Sequence, residues 1–146
     1  MPKRFTLAEA QKLIPEVERV LRDGVALKSE YDEAERALQS FTERVMLMGG
    51  MLVDRARAIE VRTRRDEVAA RLRNSIEQLQ GLGCVVKDLD IGLVDFPTLF
   101  RGEEVYLCWK LGEHEIEFWH GVDEGFRGRK AIDKDFLEHH RGEREQ

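Results

Sequence analysis

Cysteine and proline are both scarce in this chain, with two of the first and three of the second in 146 residues. Two cysteines cannot build the disulfide framework that staples small secreted domains. Cys84 and Cys108 also fall inside apolar runs, at a spacing that matches no zinc or redox motif. They read as buried free thiols of a reducing compartment, so a cytoplasmic protein is expected. Long hydrophobic runs are missing as well. No stretch approaches the roughly 20 apolar residues needed to span a bilayer. The opening Met-Pro-Lys-Arg-Phe-Thr has no apolar centre of the signal-peptide kind. Neither export nor membrane insertion is expected. There is no excess of positive charge: 24 Lys and Arg stand against 29 Asp and Glu, for a net charge of −5. The chain therefore has no global attraction to nucleic acid or anionic membranes. Its serines, Ser29, Ser40 and Ser75, all sit in helical patterns, and none forms a nucleophile elbow. No cysteine–histidine pattern and no Walker or dinucleotide glycine loop is visible.

What is present is helix-forming charge and a regular apolar stripe. The 36% charged and 42% hydrophobic residues suit a folded protein with much helical surface. Thr6 with Glu9 makes a capping box, and Phe5 occupies the staple position. Pro15 removes an amide donor and crowds the preceding turn, which predicts a kink or break near Leu13–Ile14. Beyond it Val17, Val20, Gly24, Leu27, Tyr31, Ala34, Leu38, Phe41, Val45 and Met48 continue from Leu13 in steps of three and four. This is a heptad stripe, with Gly24 and Ala34 as its weak points, on a rod of about 50 Å. Gly49-Gly50 stops it. A second helical run, Met51 to Leu82, carries Leu52, Ile59 and Val61, then Val68, Leu72, Ile76 and Leu79. Two long helices joined by a short turn lie antiparallel. The acidic residues of the first (Glu16, Glu18, Glu30, Asp32, Glu33, Glu35) suit the arginines of the second. Asp54, Glu60, Asp66 and Glu67 dilute the Arg55–Arg73 stretch, so it reads as a solvated face with nucleic acid not expected.

From Cys84 the apolar period falls to two. Val85, Leu89, Ile91 and Leu93 alternate with Asp88, Asp90 and Gly92, predicting one strand that ends at Pro97. Arg101-Gly102 reads as a turn. Val105, Leu107, Trp109 and Leu111 form the next apolar face. A two-residue loop at Gly112-Glu113 predicts a tight hairpin that pairs Trp109 with Ile116, Cys108 with Glu117, Leu107 with Phe118 and Tyr106 with Trp119. That register puts His114 and His120 on the core side and the Tyr106–Trp119 pair on the polar face.

The densest chemistry lies in Phe118–Arg129. Arg127 and Arg129 among three glycines could grip an anion; as a plain closing loop they would pair with Asp88, Asp90 or Asp95. His120 and Asp123, with Asp95, Glu113 or His114, contain metal-ligand types, but no spacing is diagnostic. No metal is assigned and the cofactor stays open. A histidine bonded to a carboxylate is the commoner arrangement.

The runs Gly92-Leu93-Val94-Asp95-Phe96-Pro97, Val105–Glu113, Trp119-His120 and Gly125–Arg129, with the opening Phe5–Ala10 and Leu13-Ile14-Pro15, resemble an uncharacterised bacterial family, domain of unknown function 2203. The resemblance covers about Phe5 to Arg129. It implies a shared fold and bacterial origin but no known activity, substrate or cofactor. The positions matching it that could form a site are Asp95, Trp109, Glu113, Trp119, His120 and Arg129; Asp123 and Arg127 are added from the loop reading.

The expected fold is therefore α+β: a long antiparallel, coiled-coil-like helical hairpin followed by a small antiparallel β-sheet. A single domain is expected over 1–146, divided into hairpin (5–83), β-rich segment (84–130) and a charged, frayed tail (131–146). The function this favours is a non-enzymatic module that self-associates through its helical arms. The alternative is a small enzyme or an anion- or metal-binding protein with its site around Asp95, Glu113, His120 and Arg129. No small-molecule ligand is identified.

Overall fold

The computed structural model describes residues 3–49 and 54–142. It begins with α1, Leu7–Leu47, capped as the sequence predicts. The Thr6 hydroxyl accepts from the Glu9 amide, and the Glu9 carboxylate accepts from the Thr6 amide. At 41 residues, α1 is about 60 Å long. It runs through Pro15 without the predicted break. Ala10 and Ile14 before the proline, and Val17, Val20 and Leu21 after it, are all buried in one core. Packing on both sides holds the helical path although one hydrogen bond is missing.

Gly49 turns the chain with φ +65°. Gly50 and the expected start of the second helix at Met51–Val53, including Leu52, lie outside the described residues. Helix α2, Arg55–Gly81, begins on Asp54, whose carboxylate accepts from the Arg57 amide. The two helices pack along their length, burying Leu27 and Ala34 of α1 against Val61, Val68 and Ser75 of α2. Gly24 is also buried; a β-carbon there would touch Leu89 at 3.4 Å. The predicted weak point of the stripe is thus a place where the β1–β2 turn packs against α1. Charge pairing between the helices is sparse: Arg65–Glu35 at 3.4 Å joins them, while Arg19–Glu16, Arg22–Glu18 and Arg57–Glu60 lie within one helix.

The sheet is antiparallel. It comprises β1 (Val85–Asp88), β2 (Leu93–Phe100), β3 (Glu103–Lys110), β4 (Phe118–Gly121) and the short β5 (Lys130–Ala131), in that order. The predicted single strand from Val85 to Pro97 is instead two strands joined by a turn at Leu89–Gly92, and β2 continues through Pro97 to Phe100. Proline is tolerated there because its nitrogen and carbonyl point away from β3. On that side the Pro97 carbonyl accepts from the Phe5 amide at 2.7 Å, so no ladder bond is lost. The β2–β3 turn is the predicted Arg101-Gly102, with φ of 52° and 83°, the pair of positive values a type I′ hairpin requires.

The predicted β3–β4 hairpin does not form as a tight turn. Observed pairs are Leu107–Trp119, Cys108–Phe118 and Tyr106–His120, one residue out of the expected register. Residues 111–117 make a longer loop. The Ile116 amide donates to Gln11 Oε1 of α1 at 2.9 Å instead of joining the ladder, and the Glu113 carboxylate receives the Lys110 amide. A single-residue slip exchanges the two faces of a strand. Trp119 consequently lies on the core face, and His120 on the opposite one.

The tail is not frayed over its described part. Helix α3, Lys134–His139, leads into β6, His140–Arg141, which pairs with β2. Phe136 is fully buried, stacked 5.0 Å from both Phe100 and Trp119. His140 Nε2 accepts from the Leu7 amide at the start of α1. One face of the sheet, carrying Val94, Phe96, Val105, Leu107 and Trp109, thus packs with Phe5, α1, Leu79 and Phe136 into the main core.

Candidate functional site

The opposite face of the sheet carries the polar cluster. By register, Asp95 of β2 is the cross-strand partner of Cys108 of β3, and Tyr106 of β3 faces His120 of β4. Asp95, Cys108 and His120 are 0%, 0% and 3% exposed. His120 Nε2 lies 2.9 Å from Asp95 Oδ2, and its Nδ1 lies 2.8 Å from the Gly121 carbonyl. A carbonyl only accepts, so Nδ1 carries a hydrogen and Nε2 is the atom turned to Asp95. The other carboxylate oxygen, Oδ1, is buried with no hydrogen-bond partner.

The Cys108 thiol completes the cluster. Burial, and then the negative charge of Asp95, push it up to about 12. Cys84, whose thiol donates to the Leu79 carbonyl, is likewise pushed up to about 12, chiefly by burial. Both therefore remain protonated at neutral pH. The Tyr106 ring lies tilted beside His120 with centroids 5.6 Å apart, and burial raises its hydroxyl above the ordinary tyrosine range.

The loop after β4 closes on itself. Glu124 Oε1 accepts from Lys130 Nζ at 2.7 Å and from the Gly121 amide at 3.0 Å, and these two bonds hold its carboxyl below the usual range. Arg129 Nη2 meets both oxygens of Glu113, at 2.7 and 2.8 Å. Its guanidinium lies 4.1 Å from the ring centre of Phe118 and 4.9 Å from that of Phe126. Glu113 thus takes the place that the closing-loop reading gave to Asp88, Asp90 or Asp95.

Of the predicted site residues, the structure unites Asp95 with His120 and Glu113 with Arg129. It does not make one constellation of the eight. Trp109 belongs to the main core, with its indole N–H donated to the Glu113 carbonyl. Trp119 faces the core, stacked on Phe136 and capped by Lys130, and does not pair with Tyr106. Asp123 and Arg127 are exposed, as is His114. The residue missed as a site member is Cys108. Its alternation with Tyr106 and Lys110 put it on the sheet's second face, but the wrong β4 register kept His120 away from it.

A helical hairpin whose base packs on one face of an antiparallel sheet, with a buried Asp–His–Cys cluster on the other, defines the architectural class. The family model of uncharacterized conserved proteins designated DUF2203 matches residues 3–132, and the chain belongs to that family. No curated protein and no solved structure matches it. Among the described residues, no helix is long and apolar enough to cross a membrane.

Proposed function

We propose that this protein is a non-enzymatic, cytoplasmic interaction module that self-associates through its helical arms. The observation that carries this reading is the apolar tip of the hairpin. Met46, Leu47 and Ile59 are 74%, 87% and 67% exposed. Most of the heptad stripe is taken up by packing of α1 on α2, so the surface left for a partner is this distal end.

The tip offers both halves of a self-complementary contact. Beside the exposed side chains lies a cleft of about 220 Å³, lined by Leu38, Phe41, Val45, Met46 and Ala58 among others. Knob and socket on one surface suit a two-fold contact between identical chains. The main core takes α1 side chains only as far as Val25, and Lys28 bonds Asp90 of the β1–β2 turn at 3.1 Å; the arm beyond is held by α2.

The alternative, an enzyme or anion-binding protein centred on Asp95, Glu113, His120 and Arg129, has weaker support. Arg129 is already neutralised by Glu113, and the Asp95–His120 pair is shut away from any substrate. Light scattering on the intact protein tests the proposal. A concentration-dependent dimer is expected, reverting to monomer in Leu47→Glu and Ile59→Glu. A wild-type monomer at high micromolar concentration overturns it.

A further inference from the structure

We propose that Asp95, Cys108 and His120 form a binding site for one transition-metal ion of the zinc(II) class. One donor atom from each of the three buried residues lies within 4.8 Å of the other two. They stand on three neighbouring strands, β2, β3 and β4, so the sheet itself fixes their separation.

Two features suit a metal better than a self-contained hydrogen-bonded trio. The first is Asp95 Oδ1, a fully buried acceptor that makes no hydrogen bond of normal geometry and has only the weakly donating Cys108 thiol beside it. Buried polar atoms are ordinarily satisfied, and a cation is one partner that would satisfy this one. The second is the orientation of His120. Its Nδ1–H is spent on the Gly121 carbonyl and its Nε2 is aimed inward, which is how metal-binding histidines are held.

The donor set chooses the ion. One thiolate, one imidazole and one carboxylate suit zinc, cobalt or another borderline metal and disfavour magnesium and calcium, which take oxygen. Metal bonds of about 2.0 Å to nitrogen and oxygen place tetrahedral donors roughly 3.3 Å apart. The three donor atoms, all within 4.8 Å of one another, reach that spacing with small side-chain movements. The fourth position falls to water. Since the cluster is closed to solvent, its role is to lock β2, β3 and β4 together.

The test uses full-length, untagged protein, stripped with a chelator and titrated with cobalt(II). The expected result is one cobalt per chain, with visible tetrahedral bands and a near-ultraviolet thiolate-to-cobalt charge-transfer band. Cys108→Ser abolishes that band and weakens binding at least tenfold, while Cys84→Ser keeps both. Absence of binding by the folded wild type overturns the site, as does a charge-transfer band that survives Cys108→Ser. If Cys108→Ser does not fold, cadmium-113 NMR of the wild type decides. A shift for one sulfur ligand supports the site; a shift for none or for two overturns it.

Discussion

His120 Nε2 reaches Asp95 Oδ2 at 2.9 Å although the two residues stand on strands β4 and β2, separated by β3. Strands two apart lie about 9–10 Å from each other. The two side chains must therefore lean across β3 to meet. A pair that spans two strand spacings in a dry environment ties the middle of the sheet together, and each partner leaves a costly orphan when the other is removed. In metal-free protein, Asp95→Ala is expected to lower stability by about 3–5 kcal/mol. A double-mutant cycle of Asp95→Asn with His120→Gln, followed by urea unfolding, should return a coupling of about 1–3 kcal/mol. Additive effects would mean that the two residues act independently.

Arg129 lies between two aromatic rings and against Glu113, with its side chain only 10% exposed. Lysine keeps the charge but loses the flat face that stacks on Phe118 and Phe126. Arg129→Lys is expected to cost about 1–2 kcal/mol in denaturant unfolding, well above the cost of the same exchange at exposed Arg127.

Phe136 joins the carboxy-terminal helix to the core, filling the space beside Phe100, Trp119 and His140. Phe136→Ala is expected to destabilise by about 3–5 kcal/mol. Truncation after Ala131 should do at least as much damage, measured as a lowered melting temperature, because it also removes β6 and the His140 contact with the Leu7 amide.

In metal-free protein the two buried thiols make stability fall at high pH. Each is pushed up to about 12 in the folded chain, whereas an unfolded thiol ionises at about 8.5. Above that lower value the unfolded chain loses protons that the native chain keeps, so unfolding becomes easier. Their stabilising contribution is complete below about pH 8.5 and disappears as pH rises towards about 12. Urea midpoints across that range should decline less steeply in Cys84→Ala than in the wild type. In keeping with this, neither cysteine should react with iodoacetamide at pH 8 until the protein is unfolded.

Gly24 leaves room for Leu89, whose Cδ2 would sit 3.4 Å from an added β-carbon. Leucine at that position would fit a heptad seam in an isolated hairpin. Here it must displace Leu89, and Gly24→Leu is expected to cost about 1–3 kcal/mol by overpacking, read from the shift in the urea midpoint.

The parts of this molecule legible in the linear chain were those governed by neighbours in sequence. The Thr6–Glu9 cap, the three-and-four spacing through Val45, the Arg101-Gly102 turn and the change to period two after Cys84 each depend on residues within a turn or a strand of one another. They suffice for a helical hairpin followed by an antiparallel sheet. They also mark Asp95 and His120 as polar groups in apolar company.

The rest was decided by contacts between distant segments. Gln11 takes the Ile116 amide out of the predicted hairpin, and the resulting slip of one residue exchanges the faces of Trp119 and His120. Phe5 takes the side of β2 where Pro97 has no donor to give, and the strand continues through a residue that reads as its end. Phe136 finds Phe100 and Trp119, which turns a charged tail into part of the core. Periodicity says that a strand has two faces, but only the packed sheet determines which face meets the helix and which one closes over Asp95, Cys108 and His120, because a half-buried strand fits either way until its neighbours are in place.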